Sequence, residues 1–146
     1  MCYNTRVMAF LRIAITPTAV KRIRNYDCWI FRSELIKSDD ALAPGEIVEV
    51  VDQRGAFVAY AFFNPRSHIP LRVVSLANDR PVDRALLGER LHQACERRRA
   101  ITGTNAKRLV FSEADGLPGL IVDQYADSLV VQIRTAGLEP WRGTLV

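Results

Sequence analysis

The sequence predicts an α+β chain, a small β-barrel followed by a small strand–helix–strand–strand unit, and three observations predict it. Before residue 78 the apolar residues fall in short runs with a period near two, separated by Gly, Pro, Asn and Asp. From Asp83 to Arg99 the period becomes helical. After Gly103 three further short apolar runs return. The expected division is residues 1–77 for the barrel, 78–137 for the α+β unit and 138–146 for a truncated linker.

Taken in order, residues 12–16 alternate as a strand that Pro17 ends. Thr18 to Tyr26 forms a short helix with Ala19, Val20 and Ile23 inward. Trp29 to Ile36 reads as one strand, and Asp39, Asp40, Pro44 and Gly45 as a loop. Glu46–Asp52 and Ala56–Phe63 form a hairpin around Gln53-Arg54-Gly55, where glycine permits positive φ. Ile69 to Leu76 is the next strand, and Asn78-Asp79-Arg80-Pro81 the domain break. The helix after it has Asp83 as N-cap, and Leu87, Leu91, Ala94 and Cys95 as its apolar stripe. Arg97, Arg98 and Arg99 lie at its C-terminal end, where the dipole favours cations. Gly88 inside it costs about 1 kcal/mol relative to Ala, which a close packing contact there would explain. Leu109–Ser112, Leu120–Tyr125 and Leu129–Arg134 are the last strands. Trp141 and Leu145 have little apolar company near them in the chain, which suits a linker.

Composition is that of a soluble globular protein, 49% hydrophobic and 25% charged, with no apolar run near the ~20 residues a membrane helix needs. The mildly apolar segment Met1–Leu11 lacks a signal-peptide cleavage pattern. Cys2, Cys28 and Cys95 are odd in number and lack C-x-x-C spacing. They read as free thiols in a reducing, cytoplasmic compartment rather than as disulfides or zinc ligands. His68 and His92 have no metal spacing. There is no nucleophile elbow and no phosphate-binding glycine loop.

The net charge of +4 is modest, but all of the 20 basic residues except Lys21, Lys37 and Lys107 are arginine. Arginine forks suit phosphates and stack on bases; a GC-rich genome would produce the same bias. Arg6, Arg12, Lys21, Arg22, Arg24, Arg32 and Lys37 face only Asp27 and Glu34. On one face they form a phosphate-tracking patch; otherwise they are solvated surface. Asn64-Pro-Arg-Ser-His-Ile-Pro-Leu-Arg72 adds Arg66, His68 and Arg72 beside polar donors. Upstream, Tyr60 and Phe62 share one strand face and Phe63 the other, so one set is core and the other could stack bases. In Ser112-Glu-Ala-Asp-Gly-Leu-Pro-Gly119, Gly116, Pro118 and Gly119 stiffen a loop carrying Glu113 and Asp115. Those carboxylates either orient a cation, a base amine or an arginine, or bond turn amides and hold the loop's shape.

Two segments, Ala43-Pro-Gly-Glu-Ile-Val-Glu-Val-Val-Asp-Gln-Arg-Gly55 and Ala61-Phe-Phe-Asn-Pro-Arg-Ser-His-Ile-Pro-Leu-Arg-Val-Val-Ser75, resemble the N-terminal PUA domain of class I S-adenosylmethionine-dependent methyltransferases of large-subunit rRNA cytosine C5. Leu117-Pro-Gly-Leu-Ile-Val-Asp123 resembles the small α+β domain that follows in that family, and the resemblance runs over residues 12–139. It implies a PUA-like barrel and ribosomal RNA as partner, with Arg22, Arg24, Arg32, Arg66, His68 and Arg72 as RNA contacts. It also implies that the Glu113, Asp115, Gly116, Pro118, Gly119 loop faces a substrate cleft. The family's Gly-His-Pro-Trp-like run is here Tyr26-Asp-Cys-Trp29, so a contact from that histidine is missing. The family's cofactor loop and catalytic cysteine would follow residue 146, and no cysteine here matches the latter. The resemblance therefore implies no catalytic residue and no cofactor in this chain, with S-adenosylmethionine belonging to the full-length family. A separate methyltransferase-domain chain is then a further expected partner, or else the chain is a stand-alone RNA-binding or edge-strand protein-interaction module.

Overall fold

The computed structural model of the chain describes residues 10–37, 42–78, 80 and 82–145. Expectations placed on residues 1–9 (Cys2 and Arg6 among them), on Asp39, Asp40, Asp79 and Pro81, and on the side chain of Lys37 lie outside that description.

β1 (Arg12–Ile15) buries Ile13 and Ile15 completely on its inner face. Thr16 caps α1 (Pro17–Arg24) by accepting from the Ala19 amide at 3.4 Å, and Pro17 starts the helix where no amide is needed. Ala19, Val20 and Ile23 face inward as the periodicity requires. The single strand expected over 29–36 is instead two: β2 (Trp29–Ile30) and β3 (Leu35–Lys37), split by a 3-10 turn at Arg32–Glu34. The cause is Glu34, whose carboxylate accepts from the Phe31 amide and from Arg22, each at 2.8 Å, folding the chain back on itself. The two halves end at opposite edges of one sheet.

That six-stranded sheet is ordered β2-β6-β5-β4-β1-β3, with β4 (Ile47–Val51), β5 (Phe57–Phe63) and β6 (Leu71–Ser75) forming its centre. Its pairs are antiparallel except β1 with β4. The β4–β5 turn is built by Asp52, which accepts from the Arg54 and Ala56 amides, and by Gly55 at φ 81°. Curled around Ile13, Ile23, Val48, Phe63 and Leu71, this half-barrel holds the first core.

Asp83 caps α2 (Arg84–Arg97), accepting from the Leu86 amide at 2.8 Å. The buried stripe of α2 is Leu86, Leu87 and Ala94; Cys95 is exposed, so the expected stripe is rotated by part of a turn. Gly88 faces open space, so no packing contact accounts for it. β7 (Ala106–Phe111), β8 (Leu120–Tyr125) and β9 (Ser128–Ile133) form an antiparallel sheet in that order. The segment expected as a linker is folded: a 3-10 turn at Ala136–Trp141 runs into α3 (Arg142–Leu145). Leu138 is fully buried, and Trp141 and Leu145 pack against the second core. That core is shared: Tyr60, Phe62 and Val74 of the half-barrel join Leu87, Val110 and Val122.

Gly137 sits so close to Phe62 that an added Cβ would lie 2.0 Å from the ring. Gly137→Ala is therefore expected to destabilise the chain by roughly 1–3 kcal/mol or more. Gly143→Ala, which points into open space, should stay within about 0.5 kcal/mol of the parent. Denaturant titration compares them, and equal stability of the two variants would show that the C-terminal segment does not seat on the barrel.

Candidate nucleic-acid interface

β7 ends in a 3-10 turn, Ser112–Asp115, followed by Gly116 at φ 69° and Gly119 at φ 82°. A side chain at Gly119 would run into Thr135 at 2.8 Å, so this position needs glycine twice over. The Ser112 hydroxyl accepts from the Gly119 amide at 2.8 Å and donates to Glu113. Leu117, Pro118 and Gly119 are buried.

Both carboxylates of this loop face inward. Asp115 is only 2% exposed at its side chain. One of its oxygens accepts from Arg97 at 2.6 Å and Arg98 at 2.9 Å, the other from Arg98 at 2.7 Å and the Phe111 amide at 2.6 Å. Glu113 reaches across to the barrel, where one oxygen accepts from Trp29 Nε1 at 2.8 Å and Arg72 Nη1 at 2.6 Å. Burial alone would raise both acids; the donors outweigh it, and both lie below the ordinary carboxyl range. Arg90 closes the other side by donating to the Gly116 carbonyl. The geometry draws on both sequence readings of the loop: Glu113 and Asp115 each engage arginines, and Asp115 also accepts from the Phe111 amide.

The six arginine and histidine residues singled out from sequence do not share one face. Arg22 donates to Asp27 at 2.7 Å, Glu34 at 2.8 Å and the Trp29 carbonyl at 2.9 Å, so its fork is internal. Arg72 is committed to Glu113 and stacks 5.4 Å from the Trp29 ring centre. Arg32 donates to the Pro65 and Ser67 carbonyls, joining the turn that exposes Arg66 and His68. Arg24 is exposed elsewhere, lining a cleft of ≈ 560 Å³ with Lys21, Asn25, Asp52 and Arg54. Arg54, from the hairpin turn, was not singled out; its place beside α1 depends on the β4–β5 hairpin. Tyr60, Phe62 and Phe63 are all buried, so neither face of that strand is a stacking platform. The exposed aromatics are others, among them Trp29, Phe111 and Tyr125. A second cleft, ≈ 460 Å³, runs between the barrel edge and the small sheet, lined by Trp29, Arg72, Phe111, Glu113, Ile121 and Arg134.

Burial, with Glu113 and Asp27 nearby, pushes the Cys28 thiol up, which disfavours a reactive thiolate. Among the described residues no His, Cys, Asp and Glu cluster is placed to hold a metal. No helix among them is long and apolar enough to cross a membrane. Gly116 and Gly119 lie between antiparallel strands, with Arg90 against one and Thr135 against the other, and open no helix toward a ligand.

Residues 13–76 match the profile of the PUA-like domain. The chain is similar to the ribosomal RNA large subunit methyltransferase I of Enterobacter sp. (strain 638), at 30% identity over 139 residues. It is 32% identical to the proteins of the same name from Cronobacter sakazakii and Yersinia pseudotuberculosis over the same length. Each match covers 93% of this chain and 35% of the relative, so the chain spans about a third of the length of these proteins. In them the matched third and the remainder are one polypeptide, which gives no support to a separate methyltransferase-domain chain as partner. A solved Streptococcus mutans protein described as a SAM-dependent methyltransferase superposes with TM-score 0.78 over 91% of this chain and 35% of its own, at 12% identity. That likeness establishes the fold: a PUA-like half-barrel with a small α+β unit behind it.

The loop carboxylates make stability pH-dependent. Their folded pKa values lie below the unfolded ones, so they contribute stability above about pH 4, and this is lost as pH falls through the lower folded values. Asp115→Asn is expected to cost about 2 kcal/mol at neutral pH. It should also flatten the loss of stability on acidification, read by urea titrations at a series of pH values. An unchanged acid limb in the variant would show that Asp115 does not govern it.

Proposed function

We propose that this chain is the RNA-holding N-terminal portion of an S-adenosylmethionine-dependent methyltransferase of large-subunit ribosomal RNA, with cytosine C5 as the methylated position. The methyl transfer itself is assigned to sequence that the relatives carry outside the matched third. One observation carries the reading: the similarity to the rRNA methyltransferases covers 93% of this chain, taking in the half-barrel and the second unit alike. An RNA substrate of this kind also places the chain in the bacterial cytoplasm.

The gripping chemistry then divides by which cations are free to leave their partners. Arg24 with Lys21 and Arg54, and Arg32 with the neighbouring turn that bears Arg66 and His68, take phosphate and sugar contacts that fix position rather than sequence. Arg32 is aimed by two carbonyls. Arg22 and Arg72 act as braces whose removal would disturb the surface instead of deleting one phosphate contact. The Glu113–Gly119 loop, stiffened from within, forms a wall at which the substrate strand is presented.

Titration with a large-subunit rRNA fragment is expected to show binding that weakens steeply between roughly 50 and 200 mM salt. Arg24→Ala and Arg66→Ala should each lower the salt slope by about one while leaving the circular dichroism spectrum unchanged. Failure of the parent chain to bind any rRNA fragment at low salt would overturn the reading.

A further inference from the structure

The cleft between the barrel edge and the small sheet has features that phosphate gripping does not use. Trp29 is 40% exposed, yet its ring is held in place. Its Nε1 is tied to Glu113 at 2.8 Å, and the Arg72 guanidinium sits 5.4 Å from its centre. Across the cleft Phe111 is 49% exposed at the end of β7. Arg108 lies 5.2 Å from the Phe111 ring centre and is itself fastened to Asp123 by two hydrogen bonds, at 2.7 and 3.0 Å. Two fixed aromatic rings at the water surface are costly to leave uncovered and lose little entropy on binding.

The charge around them has one sign to spare. The lining carries Arg72 and Arg134 against Glu113 alone, and Glu113 is engaged by Arg72, Trp29 and Ser112. Arg134 is exposed and makes no ion pair among the described residues, while its amide fixes it to the Gly119 carbonyl at 2.8 Å. On β8, Ile121, Asp123 and Tyr125 alternate onto one face; Ile121 and Asp123 are covered, and Tyr125 at its end is 54% exposed.

We infer that Trp29 and Phe111 form a stacking site for unpaired bases of an RNA strand, with Arg134 on the phosphate beside them. The inference rests on the RNA-binding reading above and adds to it the chemical class of substrate the cleft takes: a single-stranded or flipped-out segment, because duplex RNA hides the base faces that a ring needs. Arg72 and Glu113 are positioning residues, holding the Trp29 ring in register. The strand then passes from the cleft along the outer face of β7 and β8, with Tyr125 as a further platform.

The test uses the whole chain with Trp141→Phe, so that Trp29 is the sole reporter of indole emission. The probes are an unstructured oligouridine of about ten nucleotides and a duplex of similar length. Expected are quenching of Trp29 by oligouridine and not by duplex, and weakening of oligouridine binding by about fivefold or more in Phe111→Leu, with duplex binding unchanged. Arg134→Gln should weaken oligouridine binding and reduce its salt dependence. Thermal unfolding of each variant against its parent excludes loss of fold. Oligouridine binding by Phe111→Leu at parental strength, or binding without any change in Trp29 emission, overturns the stacking site and leaves the RNA reading standing. Absence of binding to both RNAs at low salt overturns both, and assigns the aromatic cleft to a protein partner instead.

Discussion

β5 has no solvent face. From Val58 to Phe63 every residue is buried, with Ala59, Ala61 and Phe63 turned into the half-barrel and Tyr60 and Phe62 turned away from it. A lone barrel would present Tyr60, Phe62 and Val74 to water as one apolar patch, at a cost near 25 cal/mol for each Å². The second unit therefore covers this surface. Leu87, Val110, Val122 and Leu138 supply the cover, and Gly137 lets the chain approach the Phe62 ring without a side chain between them. Tyr60 keeps its hydroxyl satisfied at the rim by donating to the Asn78 carbonyl at 3.2 Å. The two sheets are thus separate in strand pairing and joined in packing.

The polar side of the same junction is Glu113. Trp29 and Arg72 are cross-strand partners on β2 and β6, so the register of the barrel edge brings both donors to one carboxylate oxygen. A half-buried carboxylate with this many donors resists being pulled away, because each donor would be left without its partner. Asp115 does the same within the second unit, drawing the end of α2 onto the loop through Arg97 and Arg98. The stiffness that Gly116, Pro118 and Gly119 suggest in the sequence therefore comes as much from these carboxylates as from the backbone.

What could be read from the sequence follows from the range of the forces involved. The Thr18–Tyr26 helix, the Asp83 cap, the Gly55 turn and the last three strands are local patterns, and local patterns are visible in sequence. The break at Arg32–Glu34 was not, because it depends on Arg22, ten or more residues away, meeting Glu34. The folding of 136–145 was not, because its partner is Phe62, and nothing in the segment's own spacing records a distant ring. Of the expected helical stripe, Leu87, Leu91 and Ala94 meet the core, while Cys95 is exposed and Leu86 is buried instead, a choice that only the surface beneath decides. Of the two readings of Tyr60, Phe62 and Phe63, the structure shows the core one, and on both strand faces at once. Alternation says that Tyr60 and Phe62 share a face, but not that a second core covers it.

The same reasoning accounts for the excess of arginine over lysine in a way that neither RNA contact nor genome composition requires. Arg22, Arg98 and Arg108 each make two or three directed bonds at once, to carboxylates and carbonyls in set positions. A lysine ammonium offers a point charge and could not hold such forks. Much of the arginine is structural, so a basic count overstates the surface available to a polyanion. Of the cations left over, some lie on α1, and others on the Arg66 turn and at Arg134. Lys21 and Arg24 line the cleft on one side of the helix, while Arg22 reaches the Trp29 carbonyl at the margin of the aromatic cleft. α1 thus lies between the two proposed surfaces, with the Arg24 cleft on one side and the Trp29 edge on the other.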